Sequence, residues 1–328
     1  MNVVTLSNGK SFDCESKQSI LDAARLNNII LEHSCRTGRC GVCKTQVTAG
    51  TTLKIQSEAS LTNADINEGY ILTCCRTVNS DVQLASEDLG ELANIRVKTL
   101  PCRIDLIEKL SDDVIQVHLR TPPKNHIDYI PGQYIDVIGK NGFRRSYSIA
   151  NAPREDGTVT LQIRKVVGGQ MSHYWFHEAK VNDLLRMEGP LGTFSLRKSN
   201  VSNLILLATG TGIAPIRAIL EQILKVPNLN TFANIFLYWG GRAIKDLYFD
   251  PLEMEVPIIY RPVLSRDNVW DGHKGYVQQA VLADEVDLFD SVVYACGSEN
   301  MIESSFEILT KSGLSQQNFY SDAFVSSG

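Results

Sequence analysis

Five of the eight cysteines fall between residues 35 and 75, and three of them stand in the order Cys35-x4-Cys40-x2-Cys43, with Cys74-Cys75 downstream. Four thiolates can hold two irons bridged by sulfide, and three thiols at this spacing on one loop is the pattern of a 2Fe–2S cluster. Gly38 and Gly41 let the backbone curl around such a group, so that amide N–H groups point at the sulfurs and tune them. A structural zinc site would favour two C-x2-C pairs instead of one four-residue gap. Spacing leaves Cys74 and Cys75 both eligible as the fourth ligand.

The chain has 328 residues, enough for two or three domains at roughly 150 residues each. Hydrophobic residues make up 43% and charged residues 21%, which argues against a disordered chain or a coiled coil. Apolar runs such as Leu204–Ala208 are short against the ~20 residues that cross a bilayer, so no membrane association is expected. The opening MNVVTLSNGK lacks a basic start followed by an apolar stretch. In a long chain without that export signal, clustered cysteines read as metal or redox chemistry and not as a disulfide framework. A cytoplasmic location is expected. The net charge of −5 speaks against nucleic-acid binding, which requires a basic surface.

Three segments differ in pattern. Residues 1–93 are strand-rich: Val3-Val4-Thr5-Leu6, a Ser7-Asn8-Gly9 turn and Ser11 to Cys14 predict a β-hairpin. Ser19 predicts an N-cap for a helix with Ile20, Leu21, Ala24 and Leu26 inward. A strand is expected over Thr45 to Thr48, and acidic Glu87, Asp88 and Glu91 mark an expected linker. Residues 97–197 carry short strands at Ile104–Leu110, Val114–Arg120, Tyr134–Ile138, Ser146–Ala150 and Val159–Val166. They are punctuated by Pro131-Gly132, Asn141-Gly142 and Gly168-Gly169, which predicts a small antiparallel barrel; one helix is expected around Ser172–Ala179. In residues 202–328 strands at Leu204–Ala208, Ile235–Trp239, Ile258–Val263 and Ser291–Cys296 alternate with helices beginning near Ala214, Ala243, Val277 and Met301. That alternation predicts βαβ units and a parallel sheet.

Two further segments carry chemistry. On a strand, Arg145 and Tyr147 share one face and Ser148 takes the other, which suits a flat cofactor with a phosphate tail or, equally, an ordinary exposed strand. Gly168-Gly169-Gln170-Met171-Ser172 offers free N–H groups at a helix start to an anion, or is a plain turn. Leu204-Ile-Leu-Leu-Ala-Thr209-Gly210-Thr211-Gly212-Ile213-Ala214-Pro215 is a buried strand, a glycine turn and a helix, with Gly210 and Gly212 allowing close approach of a pyrophosphate. It lacks the third glycine of G-x-G-x-x-G. The six histidines show no ligand spacing beyond His173 and His177, which no third ligand accompanies.

These segments resemble known families. His33-Ser-Cys-Arg-Thr-Gly-Arg-Cys-Gly-Val-Cys43 with Tyr70-Ile-Leu-Thr-Cys74 is similar to the cluster loop and last ligand of plant-type ferredoxins, which implies Cys35, Cys40, Cys43 and Cys74 as metal ligands. Arg145-x-Tyr147-Ser148, Gly168-Gly169-x-x-Ser172, Gly189-Pro-Leu-Gly192-Thr-Phe194, Gly210-Thr-Gly-Ile-Ala-Pro215, Gly240-Gly241-Arg242 with Asp246-Leu247-Tyr248, Cys296-Gly297-x-x-x-Met301 and Asp322-Ala-Phe324 resemble the ferredoxin–NADP reductase superfamily. The resemblance implies Arg145, Tyr147, Ser148, Gly169 and Ser172 as flavin contacts, with Ser148 near the reactive ring nitrogen and Phe324 covering the flavin. It also implies Gly210, Thr211, Gly212, Arg242, Cys296 and Gly297 as nucleotide contacts, with Cys296 beside the nicotinamide, so Ser148 and Cys296 are the candidate catalytic residues. Asn182 stands where relatives carry Gly, and Asn tolerates the left-handed conformation expected there.

The implied fold is multidomain: a β-grasp 2Fe–2S ferredoxin domain (1–93), an antiparallel β-barrel FAD domain (97–197) and an α/β parallel-sheet NAD(P) domain (202–328). The implied cofactors are a 2Fe–2S cluster, FAD and NADH. A nicotinamide gives up two electrons together and a 2Fe–2S cluster accepts one, so a flavin between them is the converter and the output goes to an electron-accepting partner enzyme. The opening MNVVTLSNGKSF, the run ILTCCR and the ending FYSDAF look most like the CDP-6-deoxy-delta-3,4-glucoseen reductases of dideoxysugar biosynthesis, which implies a pyridoxamine-dependent sugar dehydrase as partner. Reductase components of ring-hydroxylating dioxygenases and multicomponent monooxygenases, whose partner is an oxygenase component, are the alternative. A non-catalytic redox sensor or docking module is the alternative of another class. NADH is expected over NADPH, because a 2′-phosphate site needs extra cations, for which Ser265-Arg266 supplies one candidate, while a glycine stands between Lys274 and Tyr276. Residues 1–93 carry 8 Lys and Arg against 11 Asp and Glu, and the acceptor is expected to dock on this mildly acidic domain near Arg36, Thr37 and Arg39.

Overall fold

Along Ser11–Cys14 exposed and buried residues alternate, which sends Phe12 and Cys14 inward, and the strand pairs antiparallel with Asn2–Leu6 as the hairpin pattern predicts. Asn2–Leu6 also pairs in parallel with Val82–Leu84, giving a five-stranded sheet in the order Ser11–Cys14, Asn2–Leu6, Val82–Leu84, Lys44–Ala49, Tyr70–Leu72. Helix Ile20–Leu26, capped by Ser19 Oγ accepting the Asp22 N–H, buries Ile20, Leu21, Ala23 and Ala24. This is a β-grasp. Leu26, expected inward, is 75% exposed, because two residues beyond Ala24 is a half-turn away from the buried face. The computed structural model describes residues 1–92, 95–139, 142–226 and 231–324, and they divide into two units, Met1–Arg96 and Val97–Phe324.

The expected linker is a correction. Asp88 is buried at its side chain, pairs with Lys10 at 2.6 Å and accepts the Ile30 N–H at 2.8 Å, while Leu89 N–H donates to Ile30 O. Of the acidic residues expected to mark a linker, Asp88 is here the partner of distant groups and fastens its segment to the first unit.

In the second unit one sheet runs Arg144–Ser148, Tyr134–Ile138, Leu184–Leu191, Lys98–Lys109, Val114–Arg120, Thr158–Arg164, all neighbours antiparallel. An antiparallel bridge between Ile149 and Leu161 joins its two ends and closes the barrel around Ile104, Val117, Leu119, Ile135 and Met187. Asn182, at the bend before Leu184–Leu191, has φ +76°, the left-handed conformation expected of it. Asn141 of the expected Asn141-Gly142 turn lies outside the described residues.

The second sheet is parallel throughout, in the order His273–Lys274, Ile259–Leu264, Asn234–Gly241, Asn203–Thr209, Ser291–Gly297, Phe319–Ala323. Helices Ile213–Lys225, Val277–Ala283 and Glu299–Lys311 flank it. The helix expected near Ala243 is a single 3₁₀ turn, Ile244–Asp246; the Asp246 carboxylate accepts the N–H groups of Arg242 and Ala243 and turns the chain there. No helix among the described residues is long and apolar enough to cross a membrane.

Candidate functional site

The first unit holds Cys35, Cys40 and Cys43 on the loop between helix Ile20–Leu26 and strand Lys44–Ala49, and Cys74 between Tyr70–Leu72 and Arg76–Val78. The loop is wound by positive φ at Arg36, Gly38 and Gly41. At Gly38 a Cβ would lie 2.0 Å from Ser57 O and 2.7 Å from Cys75 Sγ, so only glycine fits. The winding aims backbone N–H groups at sulfur: Thr37 and Cys40 both donate to Cys35 Sγ at 3.4 Å, and Cys35 donates to Cys40 Sγ at 3.5 Å. Cys43 Sγ and Cys74 Sγ touch at 3.3 Å.

The thiols therefore fall into two pairs, Cys35 with Cys40 and Cys43 with Cys74. Hydrogen bonds from Cys40 and then Thr37 pull the Cys35 pKa well below its ordinary value, and the Cys43 contact lowers that of Cys74. Two pairs of thiols with N–H donors already aimed at sulfur fit a cluster of two irons, each taking one pair. Cys75 is fully buried, touches Cys74 Sγ at 3.4 Å and donates to Ser57 O at 3.2 Å. Arg36 is tied to Asp22, whereas Thr37 and Arg39 are exposed.

In the second unit Arg145 and Tyr147 are half-buried on one face of strand Arg144–Ser148 and Ser148 is buried on the other. Trp175 Nε1 donates to Tyr147 Oη at 2.9 Å and the rings meet edge to face, which fixes the tyrosine ring. Gly168 has φ +76°, and Gly169 is the N-cap of a short helix, Gln170–His173, continued by a π-helical turn, Tyr174–Glu178. The helix thus begins before Ser172. The Ser172 hydroxyl accepts the Val166 N–H at 2.7 Å and closes the diglycine loop from inside. A cavity of about 880 Å³ opens at the diglycine loop, lined by Phe143, Val166, Gly169, Met171, Ser172 and Tyr174 among others but not by Arg145, Tyr147 or Ser148, and its size is within the range of cofactor sites.

The parallel sheet brings the remaining candidates to its C-terminal edge. Gly210–Gly212 forms a 3₁₀ turn into helix Ile213–Lys225. A Cβ at Gly212 would lie 2.1 Å from Cys296 O, and one at Gly297 2.2 Å from Thr209 Oγ1, so both glycines permit the close approach of neighbouring strand ends. Thr211 is buried within the turn. Cys296 is fully buried, and burial first, then Asp322, raises its pKa well above the ordinary value. Asp322 pairs across the sheet with Cys296 and lies 3.5 Å from Ser148 Oγ. Barrel serine and sheet cysteine thus converge on one buried acid. Arg242 is held by Asp246 at 3.2 Å and reaches Asp113 at 3.6 Å. The Phe324 N–H donates to Gly297 O, which places this half-exposed residue at the same edge.

Sequence reasoning did not single out Asp322, Arg164 or Asp113 as site residues. Arg164 pairs with Asp113 at 2.9 Å and lies over Gly210, where a Cβ would come within 2.8 Å of its Nη1. Asp322 stood in the sequence only as part of the Asp322-Ala-Phe324 motif, with no role of its own, and neither Arg164 nor Asp113 had any local signal.

Comparison with known proteins assigns these regions. Residues 4–79 match the 2Fe-2S iron-sulfur cluster binding domain, residues 101–196 the oxidoreductase FAD-binding domain and residues 206–306 the oxidoreductase NAD-binding domain. The CDP-6-deoxy-L-threo-D-glycero-4-hexulose-3-dehydrase reductase of Yersinia pestis is 42% identical over 332 residues, covering 100% of this chain and 99% of the relative. The terephthalate 1,2-dioxygenase reductase component 1 of Comamonas sp is 31% identical, covering 97% and 95%. The Amycolatopsis cytochrome P450 reductase GcoB shares the fold with a TM-score of 0.78 at 24% identity, covering 99% of both chains.

Proposed function

This chain belongs to the ferredoxin–NADP reductase superfamily, in the group with a fused 2Fe–2S domain, and from that premise we propose that it carries electrons from NADH to a sugar-nucleotide dehydrase acting on a CDP-6-deoxyhexulose. It is an oxidoreductase with FAD-binding, NAD-binding and 2Fe–2S domains. The observation that carries the dehydrase reading is the full-length likeness to the Yersinia reductase, at 42% identity against 31% for the dioxygenase reductase component. FAD, when bound, would supply the conversion of a two-electron hydride donor into single electrons, and a 2Fe–2S cluster held by the four thiols would supply one-electron chemistry toward an acceptor.

The residues then have distinct tasks. Cys35, Cys40, Cys43 and Cys74 hold the cluster, with the N–H groups of Thr37 and Cys40 stabilising negative charge on sulfur. Arg145, Tyr147, Gly169 and Ser172 shape the flavin cradle, and the ring of Phe324 covers it. Gly210, Thr211 and Gly212 present a helix start to the nucleotide pyrophosphate, and Arg242 adds a cation. Cys296 and Gly297 form the floor of the nicotinamide site, where the buried thiol stays protonated and uncharged. Ser148, backed by Asp322, is placed to hold a proton at its Oγ.

The test is reconstitution with purified acceptors. NADH oxidation coupled to the dehydrase product is expected. NADH-driven turnover with a dioxygenase component, and none with the dehydrase, would replace this acceptor with an oxygenase. A chain that binds all three cofactors without NADH-driven ferricyanide reduction would be a sensor.

A further inference from the structure

The stretch from Ile55 to Ser60 contains no cysteine, yet it is bonded to both halves of the thiol loop. The N–H groups of Ile55 and Gln56 donate to Cys75 O at 2.9 and 3.3 Å, and Gln56 Nε2 donates to Cys74 O at 2.7 Å and to Arg36 O at 3.2 Å. Ser60 N–H donates to Gly38 O at 3.2 Å. At the centre of this brace is Glu58, whose side chain is 2% exposed. Its carboxylate accepts the Leu72 N–H at 3.0 Å, Arg76 Nε at 3.1 and 3.0 Å, and Arg76 Nη2 at 2.8 Å. Leu72 and Arg76 stand two residues before and two residues after Cys74, so one carboxylate grips both ends of the turn that carries the fourth thiol.

We infer that the buried Glu58–Arg76 pair is a positioning device for Cys74 whose opposite charges balance each other at the cluster, so that its reduction potential is left nearly unshifted while both are present; this rests on the reading of Cys74 as a ligand. Buried ion pairs contribute little net stability compared with apolar packing, because desolvation offsets their attraction. This pair, however, places opposite charges beside a group that gains negative charge on reduction. The Arg76 guanidinium favours the added electron and the Glu58 carboxylate opposes it, so the two nearly cancel while both are present. Each single neutralisation unmasks the partner.

The experiment is a redox titration of the cluster in the full-length holoprotein, read by low-temperature electron paramagnetic resonance. Glu58→Gln keeps an acceptor for the Leu72 N–H and is expected to raise the potential, shifting the reduced-to-oxidised ratio at fixed potential on the order of tenfold, the size of one partly buried charge. Arg76→Gln is expected to lower it, and Glu58→Gln with Arg76→Gln to return it near the wild-type value. Opposite signs that cancel cannot come from a loosened fold. Single variants that shift in the same direction, or not at all, overturn the inference. If Glu58→Gln loses the cluster, a double variant that retains it near the wild-type potential supports the inference, and one that also loses it overturns the inference. Wild-type protein without two irons and a reducible cluster signal would instead sink the ligand reading itself.

Discussion

In the first unit three of the candidate ligands lie within nine residues and their sulfurs are oriented by N–H groups of the same loop, Thr37 and Cys40 onto Cys35. In the second unit the candidate edge is assembled from strands far apart in sequence: Ser148 meets Asp322 across 174 residues, and the Gly212 turn rests against Cys296 O. The first arrangement is fixed by local backbone winding and the second by parallel-sheet register. Damage to one is therefore expected to leave the other working.

The strongest test of that separation is removal of a ligand. Cys40→Ser and Cys74→Ser are each expected to lose essentially all cluster iron and absorbance while flavin content is kept, whereas Cys75→Ala keeps the cluster; iron, sulfide and flavin analysis reads all three. Concerted loss of flavin would merge the two regions into one folding unit.

Next come the glycines. Gly38→Ala brings a Cβ 2.0 Å from Ser57 O at a positive φ, and Gly212→Ala brings one 2.1 Å from Cys296 O. Overpacking of this kind costs about 1–3 kcal/mol, more where the backbone cannot shift. Gly38→Ala is expected to lower cluster occupancy with the NADH KM unchanged, and Gly212→Ala to raise the NADH KM with the cluster intact. Crossed effects in cluster spectra or steady-state kinetics would break the comparison.

Asp322→Asn keeps shape but removes the charge behind Ser148, and NADH–ferricyanide turnover is expected to fall about tenfold to a hundredfold in kcat, as for loss of a positioned proton-holding group. An unchanged kcat would reduce Asp322 to a packing residue. Nucleotide preference sharpens the same edge. Arg266 N–H donates to Arg242 O, which sets the two arginines side by side, while Lys274 Nζ is engaged by Asn268 O. A kcat/KM for NADH above that for NADPH is expected, and the reverse would assign Arg266 to a 2′-phosphate.

The smallest effect is expected at the exposed rim of the thiol loop. Arg39→Glu should slow delivery to the dehydrase several-fold more than turnover with ferricyanide, and the difference should shrink with added salt, because rim charges act chiefly on encounter. Equal loss in both stopped-flow assays would show damage to the flavin half or the fold, and no loss in either would place docking elsewhere.

The same contrast explains what could be read from the residues alone. Cys35, Cys40, Cys43, Gly38 and Gly41 act on each other through the local backbone, and their spacing carries the geometry. The left-handed turn at Asn182 was legible through the glycine that relatives carry there, a conformation that Asn tolerates. Glu58, Asp88, Arg164 and Asp322 work through partners that only the fold supplies, so as isolated charges they resemble solvated surface. Asp88 was accordingly read as linker, although it caps Ile30 and pairs with Lys10.

The parallel pairing of Asn2–Leu6 with Val82–Leu84 has a consequence for synthesis. Strand Asn2–Leu6 leaves the ribosome ahead of its central neighbour, which follows about 4 to 16 s later at roughly 5–20 residues per second. During that interval Cys35, Cys40 and Cys43 emerge ahead of Cys74 and wait on a sheet that lacks its middle strand. The nascent chain thus presents three of its four candidate ligand thiols before the fourth arrives, and the sheet beneath all four is complete only once Val82–Leu84 has paired.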